Sequence, residues 1–261
     1  MIKPAYTIAI IFGAVIILFA ITVTRESSRT SAITESAHDW LMLGRDARHS
    51  GYSDSAAPGN RILWTYAANE KGNIESDVRG LALKNNVVYF AFDRFVRAIG
   101  APDKKELLIV EVGAETGGLA AVDNMVVVSA GKSLVALDSG NGKKLWTYNA
   151  GGDLTAPVIS NGIIYTGSKD NSLYAVGTNG TLAWKYKTYG EIHSVPAVAD
   201  GKVFVGSTDA IYSYDADSGR LIWSHPTGDI PEHLIVGGES LYAGFTGEDA
   251  IQNQIIAFGS R

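Results

Sequence analysis

The chain contains no cysteine among its 261 residues. This excludes disulfides, thiolate metal sites, cysteine nucleophiles and a lipid anchor carried on cysteine. Basic residues are outnumbered, with 22 Lys and Arg against 27 Asp and Glu and a net charge of −5. A phosphate-binding face needs the opposite balance, so nucleic acid is excluded as the main partner. Only five histidines occur, His38, His49, His193, His225 and His233, and none shows metal-ligand spacing. Gly131-Lys132-Ser133 has the end of a phosphate loop, but Val126 stands where its first glycine is required. Asp215-x-Asp217-x-Gly219 begins like a calcium loop and lacks the later ligands, so it reads as a β-turn.

Charge is also missing from one long stretch, Pro4 to Val23. As a helix rising about 1.5 Å per residue, that stretch spans about 30 Å, the thickness of a bilayer core. A secretory signal has a shorter apolar core, so an uncleaved anchor is expected over a cleaved signal. Thr24 to His38 is rich in Ser and Thr and reads as a flexible tether. The organisation expected is therefore 1–23 as a transmembrane anchor (or signal), 24–38 as a tether and 39–261 as one folded domain. The short head before the apolar run places that domain outside the cytoplasm, on a single-pass protein of the cell membrane.

What is abundant is glycine, 29 residues, and a recurring tryptophan. Trp64, Trp146, Trp184 and Trp223 sit in RILWTY, KKLWTY, TLAWKY and RLIWSH. The last three are spaced by 38 and 39 residues. A period near 40 residues in a glycine-rich chain of β-formers indicates a β-propeller. Five inner-to-middle strands recur as VVYFA, MVVVS, IIYTG, VFVGS and LYAGF. Five following strands recur as VRAIG, LVALD, LYAVG, IYSYD and IIAFG. Only four outer strands follow them, because Arg261 comes just after the fifth. The segment 61–67 supplies the missing one. The expected fold is all-β: a five-bladed β-propeller closed by an N-terminal strand and preceded by one transmembrane helix. Leu108 replaces Trp in blade 1. The tryptophans are read as packing between blades rather than as a cofactor stack, because repeated aromatic positions exist to bury area.

The unit DGKVFVGSTDAIYSYDADSGRLIW (200–223) resembles the repeat of the PQQ-like β-propeller proteins. DWLMLGRDARHSGYS (39–53) is similar to the leader of the same family, through Trp40, Gly44, Asp46, His49 and Gly51. In this reading His49 pins the leader to the propeller. The resemblance covers 39–261. It implies either a quinoprotein dehydrogenase or a non-catalytic binding scaffold of the BamB type. Relatives commonly have eight blades and the dehydrogenases an adjacent cysteine pair; neither is present, so PQQ and enzyme activity are not expected.

One more pattern shares the period. Asp77, Glu115, Asp153, Glu191 and Asp229 are each 38 residues apart. Each precedes an inner strand, where five carboxylates would ring the axis at one channel mouth. Such a ring would concentrate cations, and its hard oxygens suit calcium or magnesium. The alternative is that acidic residues simply suit polar turns. The expected function is a membrane-anchored, extracytoplasmic, monomeric propeller that binds a protein or envelope partner without catalysis. A PQQ-dependent oxidoreductase and a cation- or ligand-sensing propeller are the alternatives.

Overall fold

A computed structural model describes residues 77–246 and 255–259, the stretch 62–66, and Met42 and Ala47 singly. The anchor, the tether and the leader residues Trp40, Gly44, Asp46, His49 and Gly51 lie outside the described residues. Among the described residues no helix is long and apolar enough to cross a membrane.

Among the described residues nineteen strands form five antiparallel sheets, each a meander in chain order. Blade 1 contains β1 (Val78–Lys84), β2 (Val87–Phe92), β3 (Phe95–Gly100) and β4 (Glu106–Glu111). Blade 2 contains β5 (Thr116–Val122), β6 (Met125–Ala130), β7 (Ser133–Asp138) and β8 (Lys144–Asn149). Blade 3 contains β9 (Val158–Ser160), β10 (Ile163–Ser168), β11 (Ser172–Gly177) and β12 (Leu182–Lys187). Blade 4 contains β13 (Ala197–Ala199), β14 (Lys202–Gly206), β15 (Ala210–Asp215) and β16 (Leu221–Pro226). The fifth sheet has three strands, β17 (Ile230–Gly237), β18 (Ser240–Thr246) and β19 (Ile255–Gly259).

Burial explains the two kinds of strand sequence. A middle strand is covered on both faces by neighbouring blades, and β6 (MVVVSA) is buried at every position. An outer strand has one wet face, and β8 (KLWTYN) alternates between exposed and half-buried. The first hairpins of blades 1, 3 and 4 turn on Asn85-Asn86, Asn161-Gly162 and Asp200-Gly201, all with positive φ. Two such residues form the turn whose twist matches that of the flanking strands.

The tryptophans hold neighbouring blades together. Trp146 Nε1 donates to the Thr178 carbonyl of blade 3 at 2.9 Å. Trp184 Nε1 donates to the Ala216 carbonyl of blade 4, also at 2.9 Å. Each indole rests on a turn glycine of the next blade. A Cβ on Gly180 would lie 2.8 Å from Trp146, and one on Gly219 2.6 Å from Trp184. Tyrosines of the second strands add a parallel link: Tyr89 Oη donates to Ser139 O and Tyr165 Oη to Ala216 O, both at 3.2 Å. Blade 1, with Leu108 in place of Trp, meets Gly142 of blade 2 through Val110.

Among the described residues no sheet pairing joins 62–66 to the last blade, so the expected closure is neither made nor excluded there. β19 is the last strand of its sheet, and residues 62–66 form no strand of their own. They lie against blade 1, where Trp64 and Tyr66 cover Phe90, Phe92 and Ile99. Two residues of the leader are also seated. Met42 is buried in the core shared by blades 2 to 4, and the Ala47 carbonyl accepts the Val198 N–H of β13 at 2.7 Å.

Gly180→Ala should destabilise the domain by about 2–4 kcal/mol, from the clash with Trp146 and from its φ of +83°. Gly162→Ala is the control: its φ is +74° but no atom lies near the added Cβ, so only the conformational cost of about 1–2 kcal/mol is expected. Urea unfolding of the two variants reads the difference; equal losses would contradict the docking.

Candidate functional site: the blade seams and the loop face

Two regions carry the residues singled out by the sequence. The seams take the tryptophans. Trp223 stacks on Phe258 of blade 5 at 5.8 Å and 25°. All four repeated tryptophans are half-buried within packing contacts. A second aromatic follows each, and it too meets the next blade: Tyr66 on Phe90, Tyr148 on Tyr174, Tyr186 on Tyr214, and His225 on Phe258. Sequence reading missed this second series, whose signal was the Trp-x-aromatic spacing in all four segments.

The acidic positions lie on the connections from outer to inner strands. Their backbones repeat faithfully. The carbonyls of Glu115, Asp153 and Glu191 accept the N–H of Gly131, Lys169 and Thr208, at 2.9 to 3.0 Å, in the facing turn of the same blade. Two of the side chains have partners of their own. Glu115 pairs with Arg79 at 2.7 Å, and Glu191 faces His193 at 3.3 Å. Asp77 and Asp153 are exposed and Asp229 is half-buried. Among the described residues no three His, Asp or Glu side chains are grouped to hold a metal. The period of 38 is therefore matched by a main-chain hydrogen bond that recurs in three blades.

A polar cluster on the same face was not legible in the sequence. Tyr174 Oη donates to Asp170 Oδ2 at 2.6 Å, and Lys185 Nζ donates to the same oxygen at 2.9 Å. Lys185 also reaches Tyr174 Oη at 2.7 Å, and the Gly151 N–H donates to that oxygen at 3.1 Å. Burial pushes the Asp170 carboxyl up, but the hydrogen bonds from Tyr174, Lys185 and Ser168 outweigh it and hold it below its ordinary value. Blade 4 repeats part of the device. Tyr212 Oη donates to Asp209 Oδ2 at 2.5 Å and accepts the Tyr189 N–H at 3.3 Å. Burial, then the bond to Asp209, pushes the Tyr212 hydroxyl up to about 12. These clusters tie the turn between the second and third strands to the connection entering the blade.

Tyr189 itself breaks the repeat. Gly113 and Gly151 occupy its position in the two preceding connections. Its ring is 90% exposed, yet its backbone is held at both ends, by Tyr212 and by Asn171 Nδ2 on its carbonyl at 3.4 Å. The fold has no need of an aromatic there, since glycine serves its siblings.

An array of antiparallel meanders, four of them four-stranded, with Trp-to-carbonyl bonds at two seams, defines a β-propeller of the PQQ-like repeat class. The family model described as "Outer membrane protein assembly factor BamB" matches residues 53–156 and 150–257, and the chain belongs to this family. BamB of Burkholderia pseudomallei is 30% identical over 128 residues, 48% of this chain and 34% of that protein. A quinohemoprotein alcohol dehydrogenase of Comamonas testosteroni is 30% identical over 129 residues, 39% of this chain and 18% of the enzyme. The crystal structure of BamB from Moraxella catarrhalis superposes with a TM-score of 0.58 at 15% identity, covering 70% of this chain and 66% of that one. The chain thus spans about a third of the first relative's length.

The Asp170 cluster gives a pH prediction. A carboxyl whose pKa is depressed on folding contributes stability above its unfolded value, about 3.9, and loses it as pH falls through the folded value. Asp170→Asn should cost about 1–3 kcal/mol at neutral pH, with the gap to the parent narrowing below about pH 4. A gap independent of pH would contradict the ionised pair. Ser213→Ala should act oppositely. Ser213 Oγ is buried without a partner where blades 1, 2, 3 and 5 carry alanine, so the melting temperature is expected to rise.

Proposed function

We propose that this chain is a non-catalytic scaffold of the cell envelope that presents the loop face of its propeller to a protein partner. Membership of the BamB family carries the reading, since the match runs through nearly all of the repeats. In this reading the apolar segment 4–23 holds the propeller outside the cytoplasm as a single-pass anchor. The packing supports a scaffold in a second way. The repeated aromatics are occupied between blades, so recognition falls to residues that depart from the repeat, with Tyr189 foremost. A rigid backbone carrying an exposed aromatic suits a binding hot spot, because little entropy is lost when it is covered.

The quinoprotein reading rests on the partial match to the alcohol dehydrogenase. PQQ and its divalent ion form no part of the reading proposed. Among the described residues no three acidic or histidine side chains are grouped to hold such an ion. No reaction step is derived through that cofactor.

Cross-linking in native membranes followed by mass spectrometry tests the scaffold. A reproducible protein partner linked near Tyr189 is expected, and Tyr189→Ala should weaken its capture at least tenfold with an unchanged melting temperature. Absence of any reproducible partner would sink the reading. Addition of PQQ with calcium is expected to give no dye-linked alcohol oxidation, and turnover would favour the enzyme instead.

A further inference from the structure

We propose that Asp209 and Tyr212 of blade 4 form a docking site for a primary ammonium group, supplied by a lysine side chain of the protein partner. The site deepens the scaffold reading, on which it rests for the existence of that partner. Blade 3 carries the template, because there the same pair of residue types holds a lysine of this chain.

The two blades correspond by register. Tyr174 of β11 stands opposite Thr166 in β10 and opposite Lys185 in β12. Tyr212 of β15 stands opposite Val205 in β14 and opposite Ser224 in β16. Residues directly opposite in an antiparallel pair share a face, so Ser224 holds the place of Lys185. The preceding turns, Ser168-Lys169-Asp170 and Ser207-Thr208-Asp209, set an aspartate beside each tyrosine. Both tyrosines are buried, with 2% and 3% of their surface exposed, so each hydroxyl is fixed in place.

The hydrogen bonds of the two pairs match, save those of the lysine. Each hydroxyl donates to Oδ2 of its aspartate and accepts a backbone N–H, from Gly151 in blade 3 and from Tyr189 in blade 4. In blade 3 Lys185 Nζ donates to Tyr174 Oη at 2.7 Å and to Asp170 Oδ2 at 2.9 Å, and it lies 4.6 Å from the centre of the Tyr174 ring. Hydroxyl and carboxylate oxygens each have two lone pairs to offer. Tyr174 Oη and Asp170 Oδ2 use both. Tyr212 Oη and Asp209 Oδ2 each accept a single bond. Ser224, short and neutral, supplies no ammonium, and among the described residues Asp209 forms no ion pair.

The surroundings favour a cation. The turn carrying Asp209 is bonded to the acidic connections on either side of blade 4. The Thr208 N–H donates to the Glu191 carbonyl at 2.9 Å, and the Thr227 N–H, close in sequence to Asp229, donates to the Asp209 carbonyl at 3.0 Å. Two convergent oxygens suit an ammonium better than calcium or magnesium, which take about six or more oxygen ligands. A lysine of a protein is favoured over a free amine because of Tyr189. Its N–H is bonded to Tyr212, and its ring is 90% exposed. Such a ring offers a protein chain a second contact beside the charge.

A small probe tests the site without knowledge of the partner. In the isotope-labelled, detergent-solubilised full chain, Nα-acetyl-lysine methylamide should shift the Tyr189 amide resonance saturably, since that N–H is bonded to Tyr212 Oη. The norleucine analogue, which lacks the charge, should not. Ser224→Lys supplies the ammonium from within, as Lys185 does in blade 3. It should raise the melting temperature by about 2–4 °C and weaken binding of the probe about tenfold or more. Asp209→Asn should weaken the probe as much. No saturable shift in the parent, or undiminished binding to Ser224→Lys, would overturn the proposal. An equal shift with calcium chloride would also overturn it, in favour of an inorganic cation. Capture of the cross-linked partner separates this site from the scaffold reading. It should fall about tenfold in Ser224→Lys and stay unchanged in Ser224→Ala. Full capture by both variants would overturn the ammonium site and leave the scaffold standing. A probe response with no partner captured would overturn the assignment to a protein and point to a free amine.

Discussion

The structure depends on one contact made at two seams: an indole N–H given to a carbonyl of the neighbouring blade, with the ring resting on a turn glycine. Trp146 with Thr178 and Gly180, and Trp184 with Ala216 and Gly219, are two copies of it. The contact joins a large apolar area to a satisfied polar group, so the ring is buried without stranding its N–H. It also explains why two unlike residue types share one period. Tryptophan supplies the surface, and glycine alone allows the facing turn to come close enough at positive φ. Where the indole is replaced, as at Leu108, the seam survives on aliphatic packing and the tyrosine link from Tyr89.

Because cohesion is carried by the seams, the loop face is free to vary. Its connections obey a main-chain rule, a carbonyl accepting from the facing turn, and tolerate glycine, alanine or tyrosine beside it. The Asp170–Tyr174–Lys185 and Asp209–Tyr212 clusters tie that face together locally. A family whose named relatives include both an assembly factor and a dehydrogenase is what such a division of labour allows.

The sequence reveals the repeat because burial imposes it. A middle strand covered on both sides must be apolar throughout, and an outer strand must alternate, so β6 and β8 announce their places. The positions of Trp146, Trp184 and Trp223 follow from the same constraint. The acidic series is equally periodic, but the quantity that recurs is the backbone register, and side-chain identity alone does not reveal that. Glu115 turns to Arg79 and Glu191 to His193, choices set by local neighbours. The Asp170 cluster was invisible for a related reason: it joins a turn, a strand and a connection that only folding brings together. Tyr189 was passed over because exposure, its telling property, is written in no motif.

The seating of Met42 and Ala47 has a mechanical consequence. Ala47 holds the inner strand of blade 4, and Met42 is buried in the core of blades 2 to 4. Tension arriving from the N-terminal side is therefore borne first at the middle of the array. Met42 and Ala47 precede 62–66 in the chain, so such a load would meet the core of blades 2 to 4 and the Val198 hydrogen bond before it reached the contacts of Trp64 and Tyr66 on blade 1.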